Sequence, residues 1–475
     1  MTAKEQKYLI TTAIDYTNDV IHIGHAYQKI LADCVARYQR LKRGDKDVYF
    51  LTGTDEYGTT NEKAAKDRNV SPKQHVDEIS ARDRAQLDAL NVSYDRFFRT
   101  TDEDHTKTAS DFYKKVFDAG DIYKDKYKGL YCEGCESYKT FSELNEEGQC
   151  LLHPTRKIQE LEEVNYFFKW SKYSDFLRAL VNSERFVLPQ GKKKEMLAFI
   201  ENGIKDIPIT RPTYKVTWGI PVPNDPEQVI YVWFDALINY FTAAKPLGFW
   251  DDSTEIVHIL GKDNAKWHVL LWPAMLKSAS ERVPDTIYVH GFINLDGQKI
   301  SKSRGNVILP TDLVNKYGVD AVRYYFLKHG PIVEDVDISI KHLEETYNSD
   351  LANGLGNTVA RLAKLAENSG FEFDFAEGEL NLDDLKPIEE DFRIDIALQN
   401  VWKNLADLDK HINENTPWAI KEANTLKEVL TYEITKLREV ALLLQPFMPE
   451  TSKQILSQFS SQKITARSAL FPRLA

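Results

Sequence analysis

Hydrophobic and polar positions alternate along this chain in two rhythms, and the change from one to the other marks its organisation. Tyr8-Leu-Ile-Thr-Thr-Ala-Ile14 is a short apolar block that reads as a buried strand, followed by the polar turn Asp15 to Asp19. From His25 the apolar positions Ile30, Leu31, Val35, Tyr38 and Leu41 recur at helical spacing until Gly44 stops the run. Asp47-Val-Tyr-Phe-Leu51 is a second strand, running into the loop Thr52 to Gly58. Strand, helix and strand in this order predict a parallel sheet with its site at the strand carboxyl ends. Glu255 to Leu260, leading into Gly261-Lys-Asp263, and Thr286 to His290, leading into Gly291, read as later strands of the same sheet. Residues from about 115 to 217 break this alternation. After about 346 the pattern is helical, over Leu351–Glu367, Ile394–Ile412 and Leu426–Leu444. The expected fold class is α/β: a Rossmann-like parallel sheet in two halves, 1–114 and 218–293, with an inserted domain at 115–217. A further segment follows at 294–345, and an α-helical bundle closes the chain at 346–475.

Composition narrows the class. The chain has 475 residues, 42% hydrophobic and 28% charged, with a formal charge of −11. That length predicts several domains, and the apolar share is globular rather than disordered. No uncharged apolar run approaches the roughly 18 residues of a spanning helix. The charged start Met1 to Lys7 leads only into a short strand, so no secretory signal is visible and a cytoplasmic protein is expected. The acidic balance counts only weakly against a nucleic-acid partner, since phosphate contacts need a basic patch and not a net charge.

Three motifs carry candidate chemistry. His22-Ile-Gly24-His25 lies where the first loop meets the first helix. Two imidazoles one turn apart at a helix N-terminus can donate to phosphate oxygens, and Gly24 leaves space for a flat base. Lys299-Ile-Ser301-Lys302-Ser303 follows Leu295-Asp-Gly297 and precedes Gly305. It suits a mobile loop that brings an ammonium onto a triphosphate as its charge redistributes. Either motif alone has a bland reading, an incidental pair or a solvated basic loop. Neither a P-loop nor a dinucleotide fingerprint is present, which removes those kinase and dehydrogenase readings. Cys132-x2-Cys135, then Cys150-x2-His153, has the spacing of two knuckles completing a tetrahedral Cys3His zinc site. Four protein ligands leave no open position, so its role is structural. Cys34 stands apart in a helical pattern, as a small buried hydrophobe.

These motifs, with Tyr16-Thr-Asn-Asp19, Gly53-Thr-Asp55, Asn165-Tyr-Phe-Phe168, Trp218-Gly-Ile-Pro-Val-Pro223, Val232-Trp-Phe-Asp-Ala236, Gly261-Lys-Asp263, Trp272-Pro-Ala-Met-Leu276 and Asn348-Ser-Asp-Leu-Ala-Asn353, resemble the methionyl-tRNA synthetases of class I over essentially the whole chain. The resemblance implies an ATP- and Mg2+-dependent ligase that makes methionyl-adenylate and passes the acyl group to tRNA(Met), for initiation and elongation. It assigns ATP to His22, Gly24, His25, Asp263, Lys299, Ser301 and Lys302, with His22, His25, Lys299 and Lys302 catalytic. It places Asp55 on the substrate ammonium, and Ile14, Tyr16, Trp233, Ala236, Leu237, Tyr240, Asn264 and His268 around the amino acid. It gives Asn357, Arg361 and Trp418 to the CAU anticodon. The insertion becomes the connective domain with one Zn2+, 294–345 the stem-contact region, and the bundle the anticodon-binding domain. No DNA or membrane partner is implied, and a monomer is expected because no appended dimerising domain follows the bundle.

Three positions depart from the family pattern. Tyr57 stands where the family usually has His, Ile300 where it has Met, and Asn264 where it has Ile beside the amino-acid pocket. An unpaired amide in an apolar pocket costs about 1–3 kcal/mol, comparable with one methylene's share of discrimination. Asn264 therefore either finds a partner or marks a shifted amino-acid preference. A paralogue charging a related amino acid, a small-molecule activator without tRNA and a non-catalytic RNA-binding relative are the alternatives. The anticodon set, the bundle and the intact His and Lys motifs weigh against each in turn, and about 100 inserted residues leave no space for a large editing domain.

Overall fold

The computed structural model describes residues 6–135, 137–139, 141–151, 154, 157–300, 306–375 and 380–474. The chain separates into two units. One comprises 1–21, 47–85 and 94–289; the other comprises 22–46, 86–93 and 290–475.

The first unit is built on a seven-stranded sheet of β1 (Lys7–Thr12), β2 (Asp15–Tyr16), β3 (Val48–Asp55), β4 (Arg96–Arg99), β5 (Val187–Leu188), β6 (Thr254–Gly261) and β7 (Thr286–His290). Its order is β2-β3-β1-β6-β7-β5, with β4 also on β3. β1 pairs in parallel with β3 on one side and with β6 on the other. Strand order therefore reverses at β1, and the crevice at the carboxyl ends of β1, β3 and β6 is the switch point where such sheets bind ligands. Leu9, Ile10, Phe50, Leu51, Ile256, Leu260 and Ile287 are fully buried, as expected of strands covered on both faces.

Within 115–217, Ile122–Cys132 and Ile158–Phe168 form a long antiparallel hairpin, flanked by Ser137–Lys139 and Ile207–Pro208. The same range also contains β5, which joins the edge of the central sheet beside β7. Part of the expected insertion thus belongs to the parallel sheet, because two helices, Ser174–Asn182 and Gln190–Glu201, bracket a strand too short to carry a hydrophobic pattern.

The second unit is mainly helical, with a small three-stranded sheet of Ile293–Leu295, Gln298–Lys299 and Val336–Ile338. Ile23–Arg43, Val319–His329, Gly356–Ser369, Ile394–Asn415, Ala423–Leu443 and Pro449–Phe459 bury apolar stripes that include Ile30, Leu327, Leu362, Val401, Leu437 and Ile455. Fully buried Asp33 and Arg323 pair at 2.7 Å, and Arg323 also donates to the carbonyls of Leu90, Pro446 and Phe447. Cys34 lies fully buried in the Ile23–Arg43 helix, where desolvation pushes its thiol pKa well up. Asn348 to Asn353 lie in a wide π-helical stretch, Tyr347–Leu355, and not in a regular α-helix. Among the described residues no helix is long and apolar enough to cross a membrane.

Candidate active site

The crevice is framed by backbone stitching. Tyr16 Oη donates to the Tyr57 carbonyl at 2.8 Å, and the Asp55 carbonyl accepts from the Thr17 amide and hydroxyl, each at 3.1 Å. Asn61 Nδ2 reaches the Asp55 and Tyr57 carbonyls. Asp55 ends β3 with its side chain largely buried. The next residue, Glu56, is fully buried and held by a two-point ion pair with Arg99, at 2.6 and 3.0 Å, by Thr101, and by Thr54. Gly53 is required here: a Cβ would lie 2.0 Å from the Phe98 carbonyl oxygen on β4. Tyr57 turns its ring edge-on to Trp218 at 5.1 Å, and burial pushes its phenol up to about 12, so the residue that replaces the family's His packs as a neutral ring.

The aromatic residues expected around the amino acid are brought together in part. Tyr240 Oη and His268 Nε2 are 2.7 Å apart, and His268 Nδ1 lies 3.0 Å from the Asn264 carbonyl. A carbonyl only accepts, so Nδ1 carries the proton and Nε2 receives the Tyr240 hydroxyl. Trp233 stacks on Trp267 at 4.6 Å and donates its indole N–H to the Cys135 carbonyl at 3.2 Å. Ala236 and Leu237 are buried on the short Val232–Leu237 helix, and Ile14 is half-buried in the loop after β1. Asp263 is exposed at the end of β6; Asn264 is half-buried and donates a long 3.4 Å hydrogen bond to it. That amide is therefore partnered. Sequence reasoning missed Trp267, the Glu56–Arg99 pair, and the buried His105–Asp235 contact at 3.3 Å that anchors the Trp-Phe-Asp-Ala helix. It also missed His258, which contacts Thr11 Oγ1 at 2.6 Å and the Tyr240 ring at 4.5 Å. His268 lies in a π-helical turn, Trp267–Leu271, a form enriched at functional sites.

Desolvation lowers the His268 pKa from 6.5 to about 4, against the Asn264 carbonyl, which favours the cation. The unfolded ring takes up a proton that the folded ring refuses, so stability is full above pH 6.5 and falls as pH drops towards 4. This one ring accounts for about 3 kcal/mol of the loss. Urea midpoints measured between pH 7 and pH 4 should fall, and His268→Gln should flatten part of that slope.

The phosphate-type motifs lie in the second unit. His22 caps the Ile23–Arg43 helix: its Nδ1 accepts from the Gly24 amide at 3.1 Å, while His25 Nδ1 accepts from the His22 amide at 3.3 Å. Both rings thus use Nδ1 as acceptor and carry their proton on Nε2 as a donor at a helix N-terminus. The rings lie 4.1 Å apart. A Cβ on Gly24 would sit 2.9 Å from the His22 ring and 3.9 Å from Ile300 Cδ1. Ile300 is buried beside this turn, and the Ile308 carbonyl accepts from the Ile23 amide, so Ile300 and Ile308 both lie at the His22–His25 turn. Lys299 closes a two-residue strand, Gln298–Lys299; Ser301 and Lys302 lie outside the described residues.

Cys132, Cys135 and Cys150 gather their sulfurs within 4.8 Å of one another, with Cys135 and Cys150 at 3.5 Å. Tetrahedral zinc at about 2.3 Å from each sulfur places sulfurs about 3.8 Å apart, so this donor set fits zinc. The fourth expected ligand, His153, lies outside the described residues. In the bundle, the Arg361 guanidinium covers the Trp418 ring at 4.6 Å and donates to Asn413 Oδ1 at 2.9 Å; Trp418 is 56% exposed. Asn357 is exposed one turn before Arg361 on the same helix.

A parallel sheet with its crevice at the β1 switch point defines an α/β fold of the kind that binds nucleotides at its strand carboxyl ends. Residues 8–153 and 142–363 match the family model described as tRNA synthetases class I (M). The chain is 37% identical to the methionine–tRNA ligase of Clostridium perfringens over 97% of this chain and 74% of that protein. It is 38% identical to that of Thermotoga maritima over 96% and 76%. The Mycobacterium tuberculosis methionyl-tRNA synthetase in complex with methionyl-adenylate superposes with a TM-score of 0.89 at 32% identity, covering 98% of this chain and all of that one. This chain belongs to the methionyl-tRNA synthetase family of class I.

Proposed function

We infer that the protein is a methionine–tRNA ligase, an inference carried by family membership over nearly the full chain and supported by the Tyr240–His268–Asn264 chain in the crevice. A methionine carboxylate oxygen attacks the α-phosphorus of ATP and pyrophosphate leaves; a ribose hydroxyl of the tRNA's terminal adenosine then takes the acyl group and AMP leaves. Asp55 holds the substrate ammonium. Trp233, Tyr240 and His268, with Ile14, Tyr16, Ala236 and Leu237, bound the thioether, for which polarizable aromatic walls are suited. Asp263 serves the nucleotide. His22 and His25 donate from Nε2 to oxygens of the α-phosphate as negative charge builds on them, and Lys299, Ser301 and Lys302 stabilise the departing pyrophosphate. Mg2+ would neutralise phosphate charge. Cys132, Cys135, Cys150 and His153 hold a structural Zn2+. Asn357, Arg361 and Trp418 read the CAU anticodon by base-edge contact and stacking. Segments 1–114 and 218–293, with the Val187–Leu188 strand of 115–217, carry the catalytic sheet, the rest of 115–217 the zinc knuckle, and 294–345 and 346–475 the contacts with tRNA; the enzyme works in the cytoplasm with the tRNA pool.

A second reading, a shifted amino-acid preference, rests on Asn264. Its hydrogen bond to Asp263 favours the first reading, since a partnered amide need not seek a polar substrate. ATP–pyrophosphate exchange over all proteinogenic amino acids separates the two. Exchange with methionine alone is expected; exchange with another amino acid would establish the second reading.

A further inference from the structure

The zinc-type knuckle is tied to the amino-acid wall at two points. Trp233 donates its indole N–H to the Cys135 carbonyl at 3.2 Å. The second tie runs through Lys266, which directly precedes Trp267. Its ammonium sits 4.7 Å from the Trp267 ring centroid and 5.1 Å from that of Phe199, and it donates to Glu143 Oε1 at 3.3 Å. Glu143 belongs to the knuckle: its carbonyl accepts from Leu151 at 3.3 Å, its neighbour Leu144 bridges Cys150, and its carboxylate also faces Lys139 at 3.6 Å. Between the two ties, Trp233 and Trp267 stack at 4.6 Å and 18°, and Trp267 stacks in turn on the fully buried Trp170. The wall is thus a column of three indoles whose outer ring and whose cationic flank are both fastened to the loop that carries the three cysteines.

We propose that Glu143 and Lys266 are positioning residues, an ion pair through which the metal knuckle sets the stance of the Trp233–Trp267 wall and hence the affinity for the amino-acid substrate. The argument rests on the ligase reading above. Neither residue touches the reacting atoms, so the pair acts on substrate binding and not on phosphoryl chemistry. A cation held against an indole face orients that ring, and its carboxylate partner, here half-buried like the cation, fixes the cation. Zinc on the cysteines would hold Glu143 and the Cys135 carbonyl in place, and its loss would release both together.

The test uses the full chain loaded with zinc, with metal content measured for every sample, and follows methionine binding by calorimetry and by the tryptophan fluorescence change on adding methionine. Glu143→Gln and Lys266→Met are each expected to weaken methionine binding roughly fivefold or more. The KM in ATP–pyrophosphate exchange should rise equally, with kcat within about twofold and zinc content unchanged. Lys266→Arg, which keeps a cation over the ring, should restore most of the affinity. Stripping zinc should weaken methionine binding in the native chain, and weaken it less in the Glu143→Gln variant, because that coupling is already cut. Native methionine affinity in both variants, or equal zinc dependence in native chain and variant, would overturn the proposal. A native chain that binds no methionine at all would instead overturn the ligase reading.

Discussion

Replacing His25 by alanine is expected to lower kcat for methionine-dependent ATP–pyrophosphate exchange by about 10²–10³-fold, with methionine KM changed less than about threefold. The expectation follows from the direction in which the ring is held. His25 Nδ1 is occupied as acceptor of the His22 amide, so the proton resides on Nε2. That donor is fixed in the free protein and, on the ligase reading, would gain value as negative charge develops on the phosphate oxygens. His22→Ala should behave similarly, since its Nδ1 is likewise committed, to the Gly24 amide. Glutamine at position 25 can place an N–H near the Nε2 position and should recover part of the rate. Steady-state exchange kinetics at saturating methionine and ATP decide the matter. A rise in KM at unchanged kcat would mean that the imidazoles hold the ground state and not the transition state.

Arg323→Met should cost about 3–5 kcal/mol of stability, the largest effect expected from any single change outside the site. Arg323 and Asp33 are both fully buried and pair at 2.7 Å, and the guanidinium also satisfies the carbonyls of Leu90, Pro446 and Phe447. Methionine fills much of the volume but leaves three buried carbonyls without that donor, and Asp33 with only Arg37 and Ser93. Burial by itself would raise the Asp33 pKa; Arg323 and Arg37 overcome it and hold the carboxyl below its usual value of 3.8. The pair's contribution is thus present above pH 3.8 and is lost as pH falls below it. Urea denaturation of native chain and variant at neutral pH measures the difference, and Arg323→Lys, which keeps the charge but not the fork, should lie between them.

What could be read along the chain was what is local. The His22–His25 turn, the knuckle spacing, β1, β3, β6 and the helices of the bundle all announce themselves over short stretches of chain, because period, caps and ligand spacing are short-range signals. The Glu56–Arg99 pair could not be read, since its partners stand 43 positions apart and each is an ordinary charged residue until the fold buries the carboxylate. Trp267 escaped for a related reason: its indole belongs to the wall only because a π-helical turn begins there, and hydrophobic spacing does not distinguish that turn from an α-helical one. The grouping of 22–46 with 290–475 was also hidden, because it depends on the Asp33–Arg323 contact and on Tyr27 packing beneath Gly330. Asn264 stood out as a departure in the sequence. Its 3.4 Å hydrogen bond to the neighbouring carboxylate becomes visible only with the fold.

This chain is expected to charge a tRNA that carries the CAU anticodon with methionine. The most direct measurement is transfer of radiolabelled methionine to purified tRNA(Met), run beside the same tRNA with its anticodon changed and beside the Arg361→Gln variant. Acid-precipitable methionyl-tRNA is expected with the native anticodon, a large loss with the altered one, and a loss in the variant that shows in tRNA KM while pyrophosphate exchange is untouched. Pyrophosphate exchange without any charged tRNA, or charging that ignores the anticodon, would contradict that expectation.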